Sequence, residues 1–194
     1  MIGASMKSSE DDLIWERSPL QLPDAPIMDR EEKYCMDPAI KKQALRMFTY
    51  GLYAVTCIDG DEVNAFTANW LSQVSFEPPL LAVSVENDSK SLPMIEHSGK
   101  FAVNVLRSGQ DGKKLAGALG KSALKSPDKL ANIPYDIHEG SLVLRDAQAW
   151  VACEVRQSVP AGDSTLVLAE IVDAGVIAEG APLTMSEAGF RHAG

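Results

Sequence analysis

Apolar and polar positions alternate with a period of two in two late segments of the chain, residues 149–156 and 165–173. The residues that share one side are Val151, Cys153 and Val155 in the first segment, and Leu166, Leu168 and Val172 in the second. A period of two is the signature of a half-buried β-strand. Both segments are therefore predicted to be strands.

Earlier parts of the chain also favour short strands. Apolar or β-forming runs predict strands over 50–58, 63–67, 80–85 and 101–106. Asp59-Gly60 separates the first two runs, and this dipeptide favours a hairpin because it tolerates the left-handed backbone of a tight turn. Many short strands with few helices predict a mostly β fold, a closed or nearly closed β-barrel that removes exposed sheet edges.

Three stretches are predicted to be helical. Asp37-Pro38 suits a helix start, since Asp can cap free N–H groups and Pro is tolerated in the first turn. Residues 89–98 predict a short helix that Ser89 or Ser91 caps and Gly99 ends. Residues 109–131 hold five lysines and two aspartates. That composition is typical of a solvent-facing helix, and a patch that steers anionic ligands is the alternative.

Length and charge divide the chain unevenly. Its 194 residues fit one domain with an appendage. The net charge is −9, of which −5 falls in residues 1–37. We therefore expect an acidic N-terminal arm over 1–37, either docked or disordered, and one domain over 38–194. The acidic balance argues against nucleic acid as a partner, and no apolar run approaches the roughly 18 residues of a membrane helix.

The cysteines carry no signal of a disulfide framework or a metal site. Cys35, Cys57 and Cys153 are far apart and form no CxxC pair. Cys57 and Cys153 lie in apolar runs and are predicted to be buried, inert thiols. The N-terminus lacks the basic start and apolar stretch of a signal peptide, so a cytoplasmic location is the default expectation. The three histidines have no metal-ligand spacing.

Two segments have the composition of a ligand site. Thr67-Ala68-Asn69 combines small and hydrogen-bonding residues beside Trp70, which suits a flat polar heterocycle; an ordinary loop with a core tryptophan is the alternative. Ser89-Lys90-Ser91 follows a strand and starts a helix, where hydroxyls, a lysine and free N–H groups suit a phosphate dianion. Simple helix capping is the alternative there.

Five separated blocks of sequence point together to one family. In chain order they are VT…DG, TANW…VSFEPPL, the strand that leads into SKS, SGKFAVNVL and GDSTL. Over roughly residues 40–194 the chain resembles the flavin reductase-like family, whose fold is an FMN-binding split β-barrel. The resemblance implies a homodimer that binds FMN, with FAD less favoured, near the subunit interface. It further implies hydride transfer from NAD(P)H to flavin, and electron transfer onward to a small molecule, free flavin, a metal-centre protein or a partner oxygenase.

The resemblance also assigns site residues, and it requires no catalytic side chain and no metal because the flavin carries the chemistry. The isoalloxazine and ribityl segment maps onto Thr67, Ala68, Asn69, Trp70, Leu71 and Ser72. The ribityl and phosphate segment maps onto Ser84, Val85, Ser89, Lys90 and Ser91, with Phe101 and Ala102 also near the flavin. The substrate-binding residues are predicted to be Ser164 and Phe190.

Two departures from the family pattern bear on function. Ser164 stands where many members carry a histidine near the docked nicotinamide. This favours the alternative of an FMN-binding electron carrier without direct NAD(P)H activity; a module that binds a related cofactor is a further alternative. Trp70 is bulkier than the residue common at its place, and it either stacks on the flavin or turns into the dimer interface.

Overall fold

The computed structural model describes residues 36–121, 126, 128–138 and 140–191. The chain divides into two units, residues 1–38 and 39–194, and the fold below is that of the second. Residues 1–35 of the predicted N-terminal arm, which include Cys35, and His192 lie outside the described residues. The boundary between arm and domain therefore stays a prediction.

Four helices and nine strands make up the described part of the chain. The helices are α1 (Pro38–Leu45), α2 (Ser91–Ser98), α3 (Gln110–Leu119) and α4 (Met185–Ala188). The strands are β1 (Tyr53–Asp59), β2 (Glu62–Ala68), β3 (Leu71–Ser75), β4 (Leu80–Glu86), β5 (Lys100–Val105), β6 (Tyr135–His138), β7 (Ser141–Leu144), β8 (Ala149–Ala161) and β9 (Ser164–Val176). The mostly β prediction is confirmed.

Seven strands form one antiparallel sheet in the order β2-β1-β5-β8-β9-β4-β3. The two edge strands, β2 and β3, follow each other in the chain and are joined only by Asn69 and Trp70. Three residue steps reach at most roughly 11 Å, so the sheet must curl until its edges approach each other. The barrel remains split there, because β2 and β3 do not pair along the seam.

The predicted hairpin is present at the tip of β1 and β2. Asp59 pairs with Glu62 across the turn, and Gly60 has φ 58°. An L side chain rarely adopts that left-handed conformation, so glycine fits this corner of the tight turn. The hairpin tip therefore carries three carboxylates, from Asp59, Asp61 and Glu62, close together.

Two large apolar clusters and a small third one around Trp150 hold the fold together. In one, α2 packs through Leu92, Met94 and Ile95 against the sheet. The other cluster packs α3, the β6–β7 hairpin and the C-terminal segment against the ends of β1, β2 and β5. Buried Asn104 fastens β7 to this second cluster, since its Oδ1 accepts the Leu144 N–H over 2.8 Å.

The structure corrects the predicted apolar face of β9. Val167 and Ala169 are fully buried in the core, whereas Leu166 and Val172 are 38% and 49% exposed. Both faces of this strand carry apolar residues, so a period of two cannot tell which one faces the core. The face that bears Leu166, Leu168 and Val172 is the outer face of the sheet.

Other differences are smaller. Ten residues of the predicted helix over 109–131 form α3, and residues 122–125 and 127 of that span lie outside the described part. Helix α1 buries none of its side chains. Strands β3 and β6 were not predicted because they are short and carry polar residues, and β7 was not because its apolar run is only three residues long. No helix in the described part of the chain combines the length and apolar character needed to cross a membrane.

Candidate functional site

The two segments predicted to bind a ligand face one cleft of about 1080 Å³. One wall is the corner between β2 and β3, and another is the start of α2 with the end of β4. Predicted site residues that line it are Thr67, Ala68, Asn69, Trp70, Ser84, Val85, Ser89, Lys90, Ser91 and Phe190. The curl of the sheet brings these distant parts of the sequence together.

The β2–β3 corner is fixed by side-chain hydrogen bonds. The Thr67 hydroxyl donates to the Ala116 carbonyl over 2.7 Å, and Asn69 Nδ2 donates to the Met185 sulfur over 3.5 Å. Trp70 is 39% exposed, and its carbonyl accepts the Ser84 N–H over 3.0 Å. Polar groups and an indole ring therefore line this wall in fixed positions.

The start of α2 presents hydroxyls and an ammonium group to the cleft. Ser89 Oγ accepts the Leu92 N–H over 3.2 Å and so caps the helix, as predicted for one of the two serines. Ser91 is 1% exposed, and its hydroxyl accepts from Asn64 Nδ2 over 2.9 Å. Lys90 Nζ lies 3.2 Å from a carboxylate oxygen of Glu62.

Both described cysteines are buried, as predicted. Burial raises the pKa of Cys57 to about 11, although Ser91 and the backbone of Asn64 act against this shift. Burial also raises the pKa of Cys153 to about 12. Since the thiolate is the nucleophilic form, neither thiol is suited to covalent chemistry at neutral pH.

The charged side chains that line the cleft are mainly basic, although the protein is acidic. They are Lys90, Lys121, Lys129 and Arg191 against Glu86 and Asp88. Three of the four basic residues, all except Lys90, were missed as site residues. The available signal was the lysine-rich stretch over 109–131, for which a patch that attracts anions was the less favoured alternative. Local charge decides contact with an anion, because solvent screens distant charges within about 10 Å.

Lys129 has a structural role in this wall as well. Its ammonium donates to the carbonyls of Ala65 and Leu119 over 3.2 and 3.1 Å, and burial lowers the pKa of this lysine. Lys129 and Asn64 also line a smaller neighbouring cavity of about 390 Å³. The two cavities thus share this pair of side chains.

The C-terminal segment closes another side of the cleft. Met185 and Phe190 line it, and backbone hydrogen bonds fasten the segment to the body, for example from Leu52 N to the Leu183 carbonyl over 2.9 Å. Glu187 Oε1 accepts the Gly109 N–H over 2.8 Å and the Ser108 hydroxyl over 2.9 Å. These two donors lower the pKa of Glu187 below its ordinary value.

Five predicted site residues do not line the cleft: Leu71, Ser72, Phe101, Ala102 and Ser164. Phe101 and Ala102 are buried in β5, which supplies the core. Ser164 is 3% exposed and donates to Asp163 Oδ1 over 3.2 Å, although it pairs with Glu86 of the cleft through the sheet. Their binding roles stay predictions.

The residues present fit a flat, phosphate-bearing heterocycle. Trp70, Phe66 and Leu52 supply apolar surface, while the β2–β3 corner supplies hydroxyl and amide groups. Ser89, Lys90 and Ser91, at the start of α2, lie in the same cleft, where a phosphate dianion would meet a cation and helix N–H groups. Cavities of about 300–1,000 Å³ are typical for ligands of this size.

The structure is thus an open antiparallel split barrel that carries a mainly cationic, partly apolar cleft beside the β2–β3 corner. The chain belongs to the flavin reductase-like family, since the model of the flavin reductase like domain matches residues 45–194. The resemblance predicted from the five sequence blocks is confirmed.

Individual proteins agree with this assignment. The chain is 33% identical over 144 residues to the high molecular weight rubredoxin of Moorella thermoacetica, and the match covers 73% of this chain and 62% of that protein. It is 30% identical over 154 residues to the reductase component of 4-hydroxyphenylacetate 3-monooxygenase from Thermus thermophilus, with 78% and 93% covered. The NADH:FAD oxidoreductase SgcE6 of Streptomyces globisporus C-1027, solved with NAD and FAD fragments, has a TM-score of 0.69 at 27% identity, with 83% and 97% covered.

Proposed function

We propose that the cleft binds FMN for transfer of hydride from NAD(P)H to flavin. The family assignment supports the activity, and the protein is an NAD(P)H:flavin oxidoreductase. One observation carries the choice of site: the β2–β3 corner and the start of α2, predicted separately to suit a heterocycle and a phosphate, line a single cleft.

In this proposal each wall has a distinct task. Thr67, Ala68 and Asn69 bind and orient the polar edge of the isoalloxazine ring, and Trp70 covers an apolar part of it. Lys90 and Ser89 hold the phosphate at the start of α2. When bound, the flavin supplies the hydride chemistry, so the side chains need only bind, orient and exclude water.

Two residues are assigned to the side of the cleft where the nicotinamide would dock. Phe190 lines the cleft, and we assign it to the substrate side, with Ser164 as the second predicted residue. The acceptor of the reduced flavin is proposed to be a partner oxygenase. This rests on the relative whose name describes the reductase component of a monooxygenase.

We also propose that the protein is a homodimer that associates through the outer face of β9. Leu166, Val172 and Val176 are 38%, 49% and 79% exposed on or beside that face. On edge strand β3, Val74 is 53% exposed. Exposed apolar side chains that gather on one face of a sheet support an interface between subunits there.

The test is the absorption spectrum of the purified protein under anaerobic conditions, before and after NADH or NADPH. We expect a flavin band that bleaches faster than that of the same concentration of free FMN. A protein that retains flavin but is not bleached by either donor would contradict the activity. Failure to retain or rebind any flavin would contradict the site.

A further inference from the structure

We propose that Glu62 is a specificity-determining residue that weakens the binding of the flavin phosphate by competing for Lys90. The inference rests on the proposed function, because it assigns the phosphate to Lys90. It goes beyond that function in predicting that this carboxylate lowers the preference of the protein for phosphorylated over unphosphorylated flavins.

The competition follows from where the two side chains lie. Glu62 opens β2 directly after the hairpin turn, and Lys90 precedes the first residue of α2. Their charged groups are 3.2 Å apart. Lys90 lines the cleft whereas Glu62 does not, so the carboxylate binds the ammonium from outside the site. A phosphate that binds Lys90 must displace Glu62 or share the ammonium with it.

A second contact keeps the hairpin tip in this position. Asp59, at the other side of the turn, lies 2.7 Å from His97 Nδ1 near the end of α2. The tip of the β1–β2 hairpin therefore contacts α2 near both of its ends, through Glu62 at the start and Asp59 at the end. Glu62 is thus held beside Lys90 by the placement of the whole turn, rather than by a single flexible side chain.

The expected size of the effect is modest. The side chains of Lys90 and Glu62 are 45% and 67% exposed, and exposed ion pairs contribute about 0.2–1 kcal/mol. That range corresponds to a change of about 1.4- to fivefold in a dissociation constant. Only ligands that carry the phosphate experience it.

The hairpin supplies a matched control. Asp61 is an exposed carboxylate beside Glu62 on the same turn, and it makes no ion pair with any residue of the described part of the chain. Asp61→Asn changes the net charge by the same amount as Glu62→Gln. A general effect of net charge would therefore appear in both variants, whereas competition for Lys90 would appear only in the second.

The experiment is equilibrium dialysis of the full chain and its variants against FMN and against riboflavin, which lacks the phosphate, at low ionic strength. We expect Glu62→Gln to bind FMN about 1.4- to fivefold more tightly with riboflavin unchanged. Asp61→Asn should leave the ratio of the two dissociation constants at the wild-type value. In a Lys90→Met background, Glu62→Gln should have no effect on FMN.

Failure of this inference is distinguishable from failure of the proposed site. If Lys90→Met weakens FMN binding but Glu62→Gln does not tighten it, the competition is refuted and the phosphate site stands. Equal tightening by Asp61→Asn, or a gain that persists without Lys90, also refutes the competition. If Lys90→Met leaves FMN and riboflavin binding unchanged, the assignment of the phosphate to Lys90 is wrong, and the inference with it.

Discussion

The hydroxyl of Thr67 donates to the carbonyl of Ala116 over 2.7 Å, across 49 residues of sequence, and so ties the edge of β2 to α3. Lys129 makes a second tie between the same two elements, through the carbonyls of Ala65 and Leu119. The wall of the cleft that faces the proposed isoalloxazine ring lies beside these ties. Its shape therefore depends on how β2 and α3 are held together.

Thr67→Val tests the first tie. Valine keeps the shape of the side chain but removes the hydroxyl, so we expect a loss of about 0.5–1.5 kcal/mol in the free energy of unfolding. The hydroxyl oxygen can also accept a hydrogen bond from the ligand, and losing it should weaken flavin binding by at most about tenfold. Urea denaturation and flavin titration measure the two effects.

Thr67→Ser is the matched control, because serine retains the hydroxyl. It should bind flavin as the wild type does and unfold close to the wild-type urea concentration. A loss in the serine variant that the valine variant does not show would mean that the methyl group matters and the hydrogen bond does not.

Gly117 of α3 offers a way to fill the cleft without disturbing the fold. A Cβ at this position would have no atom within 4 Å, and the residue lines the cleft. Gly117→Ala should raise the free energy of unfolding by about 0.5–1 kcal/mol, since glycine is costly inside a helix, with little effect on flavin binding.

Gly117→Leu should stay folded but lose flavin binding, because its side chain occupies space in the cleft. Circular dichroism and flavin retention separate these results, and normal flavin binding by Gly117→Leu would remove α3 from the proposed site.

If the protein is a dimer through β9, a charge placed on the outer face of this strand should separate the subunits. Val172→Glu places a charge on the exposed apolar face, where burial against a second subunit would require desolvating the carboxylate. We expect the wild type to elute as a dimer and this variant as a monomer in size-exclusion chromatography with light scattering.

Ile137→Glu provides the comparison for the dimer test. Ile137 is 61% exposed but lies in the separate β6–β7 hairpin, so this variant should remain a dimer. A monomeric wild-type protein, or dissociation of both variants alike, would contradict an interface on β9.

The sequence predicted correctly those turns and helix ends that depend on the backbone preferences of a few neighbouring residues. Asp59-Gly60 fixes a turn by its backbone preference, and Gly99 ends α2 in the left-handed conformation with φ 68°. The outer face of β9 could not be identified, because Leu166 and Val172 are as apolar as the buried Val167. Burial there depends on the other elements that pack on the sheet.

The same holds for the site: some of its residues can be recognised from their neighbours in the sequence, and others reach the cleft only when the chain folds. Thr67 to Trp70 and Ser89 to Ser91 have a ligand-binding composition that can be read along the chain. Arg191 has no such pattern, since it approaches the cleft only through the packing of the C-terminal segment. The lysine-rich stretch over 109–131 does not show that Lys121 is one of its lysines that reach the cleft. Asn64 was missed for a related reason: its amide supports the buried Ser91 hydroxyl, a contact that only the curl of the sheet creates.

Glu187 predicts how the C-terminal wall of the cleft responds to acid. Its folded pKa lies below the ordinary value of 4.5, because the Gly109 N–H and the Ser108 hydroxyl bind the carboxylate. A carboxyl group with a lowered pKa contributes stability that is fully present above the unfolded pKa and is lost as the pH falls through the folded pKa. Thermal melting of Glu187→Gln should therefore show a lower melting temperature than the wild type at pH 7, and the difference should shrink as the pH falls below about 4.5.

Glu179→Gln is the control, since Glu179 is exposed and carries the same charge in the same C-terminal segment. A difference between wild type and Glu187→Gln that is constant over this pH range would show that the carboxylate does not anchor the segment through its charge.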